Sequence, residues 1–325
     1  MTPRAVLSVE DIGVAIGPTR VVDGVTFDLA AGEIHALVGE SGCGKSMTAF
    51  AIMRLLPPVA RCVSGRVRLD DTDLLTLSEA AMRGVRGGRI SIIFQEPTSS
   101  LDPVMTIGAQ LVEALRAHRT LSVDEARRQA TGLLEAVGIA DAARRMRQYP
   151  FELSGGMCQR VMIATALAGK PAVLLADEPT TALDVTIQAQ ILSLIKQIRA
   201  ETGTAVLLIT HDMGVVADVA DRVLVMYAGR IVEAAPVEAL FAAPRHPYTW
   251  LLLQSLPRLD GIPKARLPVI EGAVPAAGHR SAGCSFAPRC PLATARCREA
   301  EPALTPVAEG RAVACWHSDR VGLAP

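Results

Sequence analysis

Apolar residues fall along this chain in short runs rather than long amphipathic repeats. Residues 33–39, 89–94, 172–177, 205–210 and 222–227 are rich in Val, Ile and Leu with little polar alternation. Strands buried on both faces require runs of that length and character. Helical stretches separate most of them, so the pattern predicts an α/β fold with a largely parallel sheet. Residues 7–12 and 25–29 read as shorter strands at an antiparallel edge. Between 101 and 169 the texture is helical. There Ser122-Val123-Asp124-Glu125 forms a capping box ahead of a helix running to about Val137, and Gly138 suits its end. Gly169 and Pro171 stop the next helix. A helical block over about 100–169 therefore interrupts the α/β core. After Ala235 proline recurs and periodicity fades, which puts a domain boundary near 235–245: one domain over 1–240, a second over 241–325. No internal repeat is present.

Composition narrows the picture. The chain has 325 residues, 50% hydrophobic and 20% charged, ample for a buried core and incompatible with intrinsic disorder. Lys+Arg and Asp+Glu are both 33, and zero net charge argues against a dedicated nucleic-acid binder. Mean hydropathy is +0.31. No charge-free run approaches the roughly 18–20 residues that span a bilayer, so the chain is expected not to be an integral membrane protein, though it could dock onto one. The first residues lack the apolar core of a signal peptide, so a cytosolic location is expected. Seven cysteines there are not expected to form disulfides. Four of them, Cys284, Cys290, Cys297 and Cys315, crowd toward the C-terminus.

The sharpest chemical signal is Gly39-Glu40-Ser41-Gly42-Cys43-Gly44-Lys45-Ser46, which fits G-x-x-x-x-G-K-[ST]. A strand run precedes it, and a helix from Met47 to Leu56 is expected to follow. Glycines let backbone N–H groups close around a phosphate, and a helix N-terminus adds positive potential. Lys45 is placed to reach the β- and γ-phosphates and the Ser46 hydroxyl to ligate Mg²⁺. Further on, Asp177 ends a strand run, where a carboxylate can hold Mg²⁺. Glu178 follows at once, where an acid can polarise an attacking water as general base.

Leu153-Ser154-Gly155-Gly156-Met157-Cys158-Gln159-Arg160 precedes that acidic pair. It resembles the signature motif of ATP-binding cassette (ABC) ATPases, and the rest of that family's set stands in order. Gln95 matches the Q-loop glutamine, Thr181-Ala182-Leu183-Asp184 the D-loop, and His211 the switch histidine. The resemblance implies a P-loop ABC ATPase core, with a RecA-like parallel sheet, an antiparallel β edge and a helical subdomain, plus a small Cys-rich C-terminal domain. It implies that ATP and Mg²⁺ are bound, that Gln95 touches Mg²⁺ and water, and that His211 donates to the γ-phosphate. It also implies that Ser154, Gly155 and Gly156 close over the nucleotide of a partner cassette. Two positions depart from the family. Ile16 stands where an aromatic usually stacks on adenine. Cys158 stands where a basic residue is common, which is expected to remove a positive charge near the partner's phosphate.

After the cassette, His246-Pro247-Tyr248-Thr249 with Leu251-Leu252-Leu253, then Pro257-Arg258-Leu259-Asp260, resembles the C-terminal extension of oligopeptide/dipeptide importer ATPases. So do the stretches 226–233 and 94–103. The D-type subunit is the nearest match. The resemblance implies an F-type ATPase partner, two permeases, a substrate-binding protein and a place on the cytoplasmic face of the bacterial membrane. The same machine with nickel, an opine or a glycan as cargo stays open, as does, more remotely, an ABC ATPase of nucleic-acid maintenance. The spacing of the four C-terminal cysteines allows a [4Fe–4S] cluster, a Zn²⁺ ion, or no metal. Resemblance to importer subunits with a cluster-bearing C-terminal domain favours iron–sulfur.

Overall fold

The computed structural model describes residues 4–181, 183–256, 268–275 and 282–322. The 257–260 stretch and Ala182 of the D-loop lie outside them. The chain divides into two compact units, residues 1–8, 28–33 and 68–209 forming one, and 9–27, 34–67 and 210–325 the other.

In the first unit the strands Ile90–Ile93, Val173–Asp177 and Ala205–Thr210 run parallel, with Ile90 opposite Val173 and Val173 opposite Ala205. Almost every residue of the three is buried, which is why their sequences lack polar alternation. The helices Ile107–His118, Val123–Ala136 and Gly155–Leu167 pack together as the helical block. The capping box at Ser122 forms in full: the Ser122 Oγ accepts from the Glu125 N–H, and the Glu125 carboxylate accepts from the Ser122 N–H. Gly138 follows in the left-handed region at φ +76°. The helix Gly155–Leu167 is fixed at its start by the Ser154 hydroxyl, which accepts from the Met157 N–H.

In the second unit Ile34–Val38 runs parallel to Arg222–Tyr227. A two-residue turn, Ala228-Gly229, returns the chain as the antiparallel strand Arg230–Pro236. That strand pairs with Arg311–Val313, which pairs with Thr305–Ala308. The C-terminal region thus extends this unit's sheet. Its core gathers Tyr227, Leu240, Tyr248 and Phe286 with Val38, Val225 and Val232. The strands Ala5–Ile16, Thr19–Ala30 and Ala60–Leu69, which run for most of their length in this unit, lie with Ala5–Ile16 in the middle.

Three expectations need correction. The edge strands read as residues 7–12 and 25–29 are each twelve residues long, Ala5–Ile16 and Thr19–Ala30. Along Thr19–Ala30 buried and exposed positions alternate, so polar residues on the open face disguised the strand. Ala60–Leu69 went unread for the same reason, since five of its ten residues are exposed. The helix expected from Met47 to Leu56 runs Lys45–Met53 and stops where Arg54 turns left-handed at φ +52°.

Candidate functional site

The phosphate-loop motif lies in the second unit, between the buried strand Ile34–Val38 and the helix Lys45–Met53. Gly39 and Gly44 are required by space. A Cβ on Gly39 would sit 2.2 Å from the Met226 carbonyl oxygen and 2.8 Å from Cys43 Sγ. Gly44, at φ +108°, would bring a Cβ to 3.0 Å from the Val21 carbonyl oxygen. Gly44 is also the N-cap of the helix, and no side chain caps that end. The first-turn N–H donors thus face a glycine-lined cradle, the arrangement an anion takes up. Lys45, only 6% exposed, donates from Nζ to the carbonyl oxygens of Gly39 at 2.8 Å and Glu40 at 3.2 Å. Those bonds fold the ammonium back along its own loop. Cys43 is buried beside it, and burial pushes its thiol up, opposed by the Lys45 charge. Ser41 and Gly42 form the loop's outer turn. His211 follows the strand Ala205–Thr210 and is exposed, and Asp212 behind it caps the helix Met213–Val219. Ile16, at the end of its strand, is 39% exposed.

The acidic pair lies in the first unit. Asp177 closes the strand Val173–Asp177 at 2% exposure. Glu178 leaves the strand with φ +46°, a left-handed conformation costing a non-glycine residue about 1–2 kcal/mol. Its N–H donates to the Ile209 carbonyl at 2.9 Å, which holds the turn. Its Oε2 accepts from Gln95 Nε2 at 3.3 Å and from the Thr181 hydroxyl at 2.7 Å. Two residues read separately from the sequence, Gln95 and Glu178, therefore meet. Asp184 is engaged locally: its Oδ1 caps the helix Val185–Thr202 by accepting from the Ile187 N–H.

Cys158 is not where the sequence reading put it. It is fully buried in the helix Gly155–Leu167, and its thiol donates to the Pro150 carbonyl. A residue facing inward does not remove charge from a phosphate-facing surface, so that expectation is withdrawn.

The iron–sulfur expectation is also corrected. Among the described residues no group of three or more His, Cys, Asp or Glu side chains is arranged to hold a metal ion. Cys284, Cys290, Cys297 and Cys315 are free thiols. Burial, the nearby cysteines adding to it, raises Cys290 to about 11 and Cys315 to about 12, and Cys284 is raised mainly by burial. Cys284 and Cys290 pack against the apolar core of the second unit, Cys297 pairs with the Thr294 hydroxyl, and the Cys315 sulfur accepts from the His317 N–H. Cys284 and Cys290 act there as small apolar groups.

Sequence reasoning noticed the 246–249 motif without its job. Glu233, 1% exposed, accepts from the backbone N–H groups of Arg245 and His246 and from Arg311. His246 Nδ1 caps the helix Pro247–Gln254 by accepting from the Tyr248 N–H. The Tyr248 hydroxyl in turn accepts from the Glu40 N–H in the phosphate loop at 2.9 Å. Arg289 grips the Glu40 carboxylate with both terminal nitrogens.

Comparison with known proteins agrees with this architecture. Residues 22–181 match the ABC transporter family, and residues 232–297 match the oligopeptide/dipeptide transporter C-terminal region. A probable peptide ABC transporter ATP-binding protein of Sinorhizobium fredii is 54% identical over 93% of this chain and 91% of its own. The dipeptide transport ATP-binding protein of Bacillus subtilis is 49% identical over 97% and 95%. Among solved structures, a dimeric ATP-binding cassette in a post-hydrolysis state with ADP and phosphate superimposes with a TM-score of 0.64 at 27% identity, covering 71% of this chain and 98% of that one. No helix among the described residues is long and apolar enough to cross a membrane. The chain belongs to the ATP-binding proteins of the ABC transporter family, in the branch that carries the oligopeptide/dipeptide transporter C-terminal region.

Proposed function

We propose that this chain is the ATP-hydrolysing subunit of an importer of di- and oligopeptides, held peripherally at the cytoplasmic face of a bacterial membrane. The observation that carries the reading is the pairing, in one chain, of the glycine-lined phosphate cradle with the oligopeptide/dipeptide C-terminal region. Relatives named for peptide and dipeptide transport support the cargo. The assembly has two permeases and a substrate-binding protein, and an F-type ATPase is the second cassette. The nucleotide-binding domain spans 1–240, with the helical subdomain over about 100–169, and the C-terminal extension spans 241–325.

In this reading the loop Gly39–Ser46 and the N–H of Met47 wrap the phosphates, and Lys45 leaves its carbonyl partners for the β- and γ-phosphates. Ser46, Asp177 and Gln95 supply the oxygens for Mg²⁺. The ion, bound with ATP, neutralises charge on the phosphate oxygens. The Glu178 carboxylate takes a proton from the attacking water, oriented by its bonds to Gln95 and Thr181. His211 donates to the γ-phosphate. Ile16 packs on the base without aromatic stacking. Ser154, Gly155 and Gly156 present a helix N-terminus to the nucleotide of the partner cassette, and Asp184 approaches that partner. ATP binding closes the pair, and hydrolysis reopens it.

Glu178→Gln tests the chemistry. The variant is expected to bind ATP, to lose about 10²–10⁴-fold in hydrolysis and to accumulate as a closed dimer with its partner. Near-normal turnover, measured by phosphate release, would remove Glu178 from the role of base.

A further inference from the structure

Glu40, second in the phosphate loop, is held from outside the loop by two residues of the C-terminal region. The Arg289 guanidinium donates to Glu40 Oε2 at 2.8 Å and Oε1 at 3.1 Å, a bidentate pair. The same group donates to the Tyr227 hydroxyl at 3.3 Å and to the carbonyl oxygens of Ile270 at 3.1 Å and Glu271 at 2.9 Å. Its side chain is 7% exposed and that of Glu40 26%. Burial opposes the arginine's charge, but the hydrogen bonds it donates to Glu40 and Tyr227 outweigh that and raise its pKa. The second contact is the Tyr248 hydroxyl, which accepts from the Glu40 N–H at 2.9 Å. Burial raises the Tyr248 pKa, so the hydroxyl stays neutral and the contact persists across the working pH range. The Tyr248 ring is locked against Tyr227 at 4.8 Å and Phe286 at 5.4 Å.

These contacts act on the loop in two ways. Glu40 is an anion within a segment that has to receive phosphates, and left unpaired it repels them. Arg289 cancels that charge. The loop also has to hold its N–H groups in a fixed concave arrangement, and Tyr248 pins the backbone at Glu40 by taking up its N–H.

We propose that Arg289 and Tyr248 are positioning residues for the phosphate-binding loop, so that the C-terminal region sets the chain's affinity for a nucleotide triphosphate. This rests on reading Gly39–Ser46 as the nucleotide site. Neither residue touches the nucleotide; both act through Glu40.

The test is equilibrium binding of a fluorescent ATP analogue with Mg²⁺ to the full chain, beside thermal unfolding of the nucleotide-free protein. Arg289→Met is expected to weaken binding about tenfold and Tyr248→Phe about threefold, with Arg289→Lys in between because it keeps the charge and loses the fork. Tyr248→Phe, which removes one oxygen and keeps the buried ring, carries the test should Arg289→Met not fold. In a Glu40→Gln background, Arg289→Met is expected to cost no more than about twofold, since the anion it cancels is gone. Wild-type affinity in Tyr248→Phe and Arg289→Met, or an equal loss from Arg289→Met with and without Glu40, would overturn the proposal. A wild-type chain that binds no ATP analogue would overturn the nucleotide reading, and this inference with it.

Discussion

His246 sits at 1% exposure with its ring 5.8 Å from that of Phe286, and burial lowers its pKa from 6.5 to about 3. In the unfolded chain the same imidazole takes a proton near pH 6.5. The unfolded state therefore binds more protons between those two values, and stability present above pH 6.5 drains away as pH falls toward 3. The slope approaches ~1.4 kcal/mol per pH unit within that window. His246→Asn keeps an acceptor for the Tyr248 N–H and removes the titration. Urea unfolding at pH 7.5 and 5.5 is expected to show a smaller acid-side loss in the variant than in the wild type; equal losses would contradict the assignment. At this scale legibility divides by sequence distance. Lys45, Ser46 and the glycines stand in one contiguous motif and were readable at once. Arg289 and Glu40 lie 249 positions apart, and no local pattern links them. Cys158 failed for another reason: its position in the motif was visible, but the helix face it occupies was set by packing.

The element that matters most is the junction of strand, loop and helix from Ile34 to Met53. Gly44 joins loop to helix in a conformation that L side chains rarely adopt, and Val21 O and Met226 Cε lie 3.0 and 3.1 Å from where a Cβ would be. Gly44→Ala is expected to cost about 1–3 kcal/mol in folding stability and to weaken ATP binding by at least tenfold. Calorimetry of both quantities checks this, and unchanged ATP affinity would show that the junction tolerates distortion. Elements with a local signature were read well. The Ser122 capping box gave its helix, and the apolar runs gave every parallel strand named above. The strands Thr19–Ala30 and Ala60–Leu69 were shortened or missed because exposed residues dilute their apolar pattern. The short strand Thr305–Ala308 gave no signal either, since it is exposed throughout.

For the whole molecule, the motifs were legible as a set before any fold was known, because each is a short contiguous segment. The C-terminal region was legible as a presence and not as a device. Its cysteines invited a metal centre, but among the described residues no metal-binding group forms, and Cys284 and Cys290 pack against an apolar core. Its arginine and tyrosine, passed over, reach the phosphate loop. The central claim is that this chain spends ATP to move peptides inward. The direct measurement is on the complete transporter in proteoliposomes, with the binding protein on the opposite face from ATP, following phosphate release and peptide uptake together. The account predicts that peptide-loaded binding protein raises hydrolysis several-fold, and that uptake and hydrolysis both vanish with Glu178→Gln in this subunit. Peptide uptake that persists in that variant at the wild-type rate, or hydrolysis with no peptide movement, would contradict it.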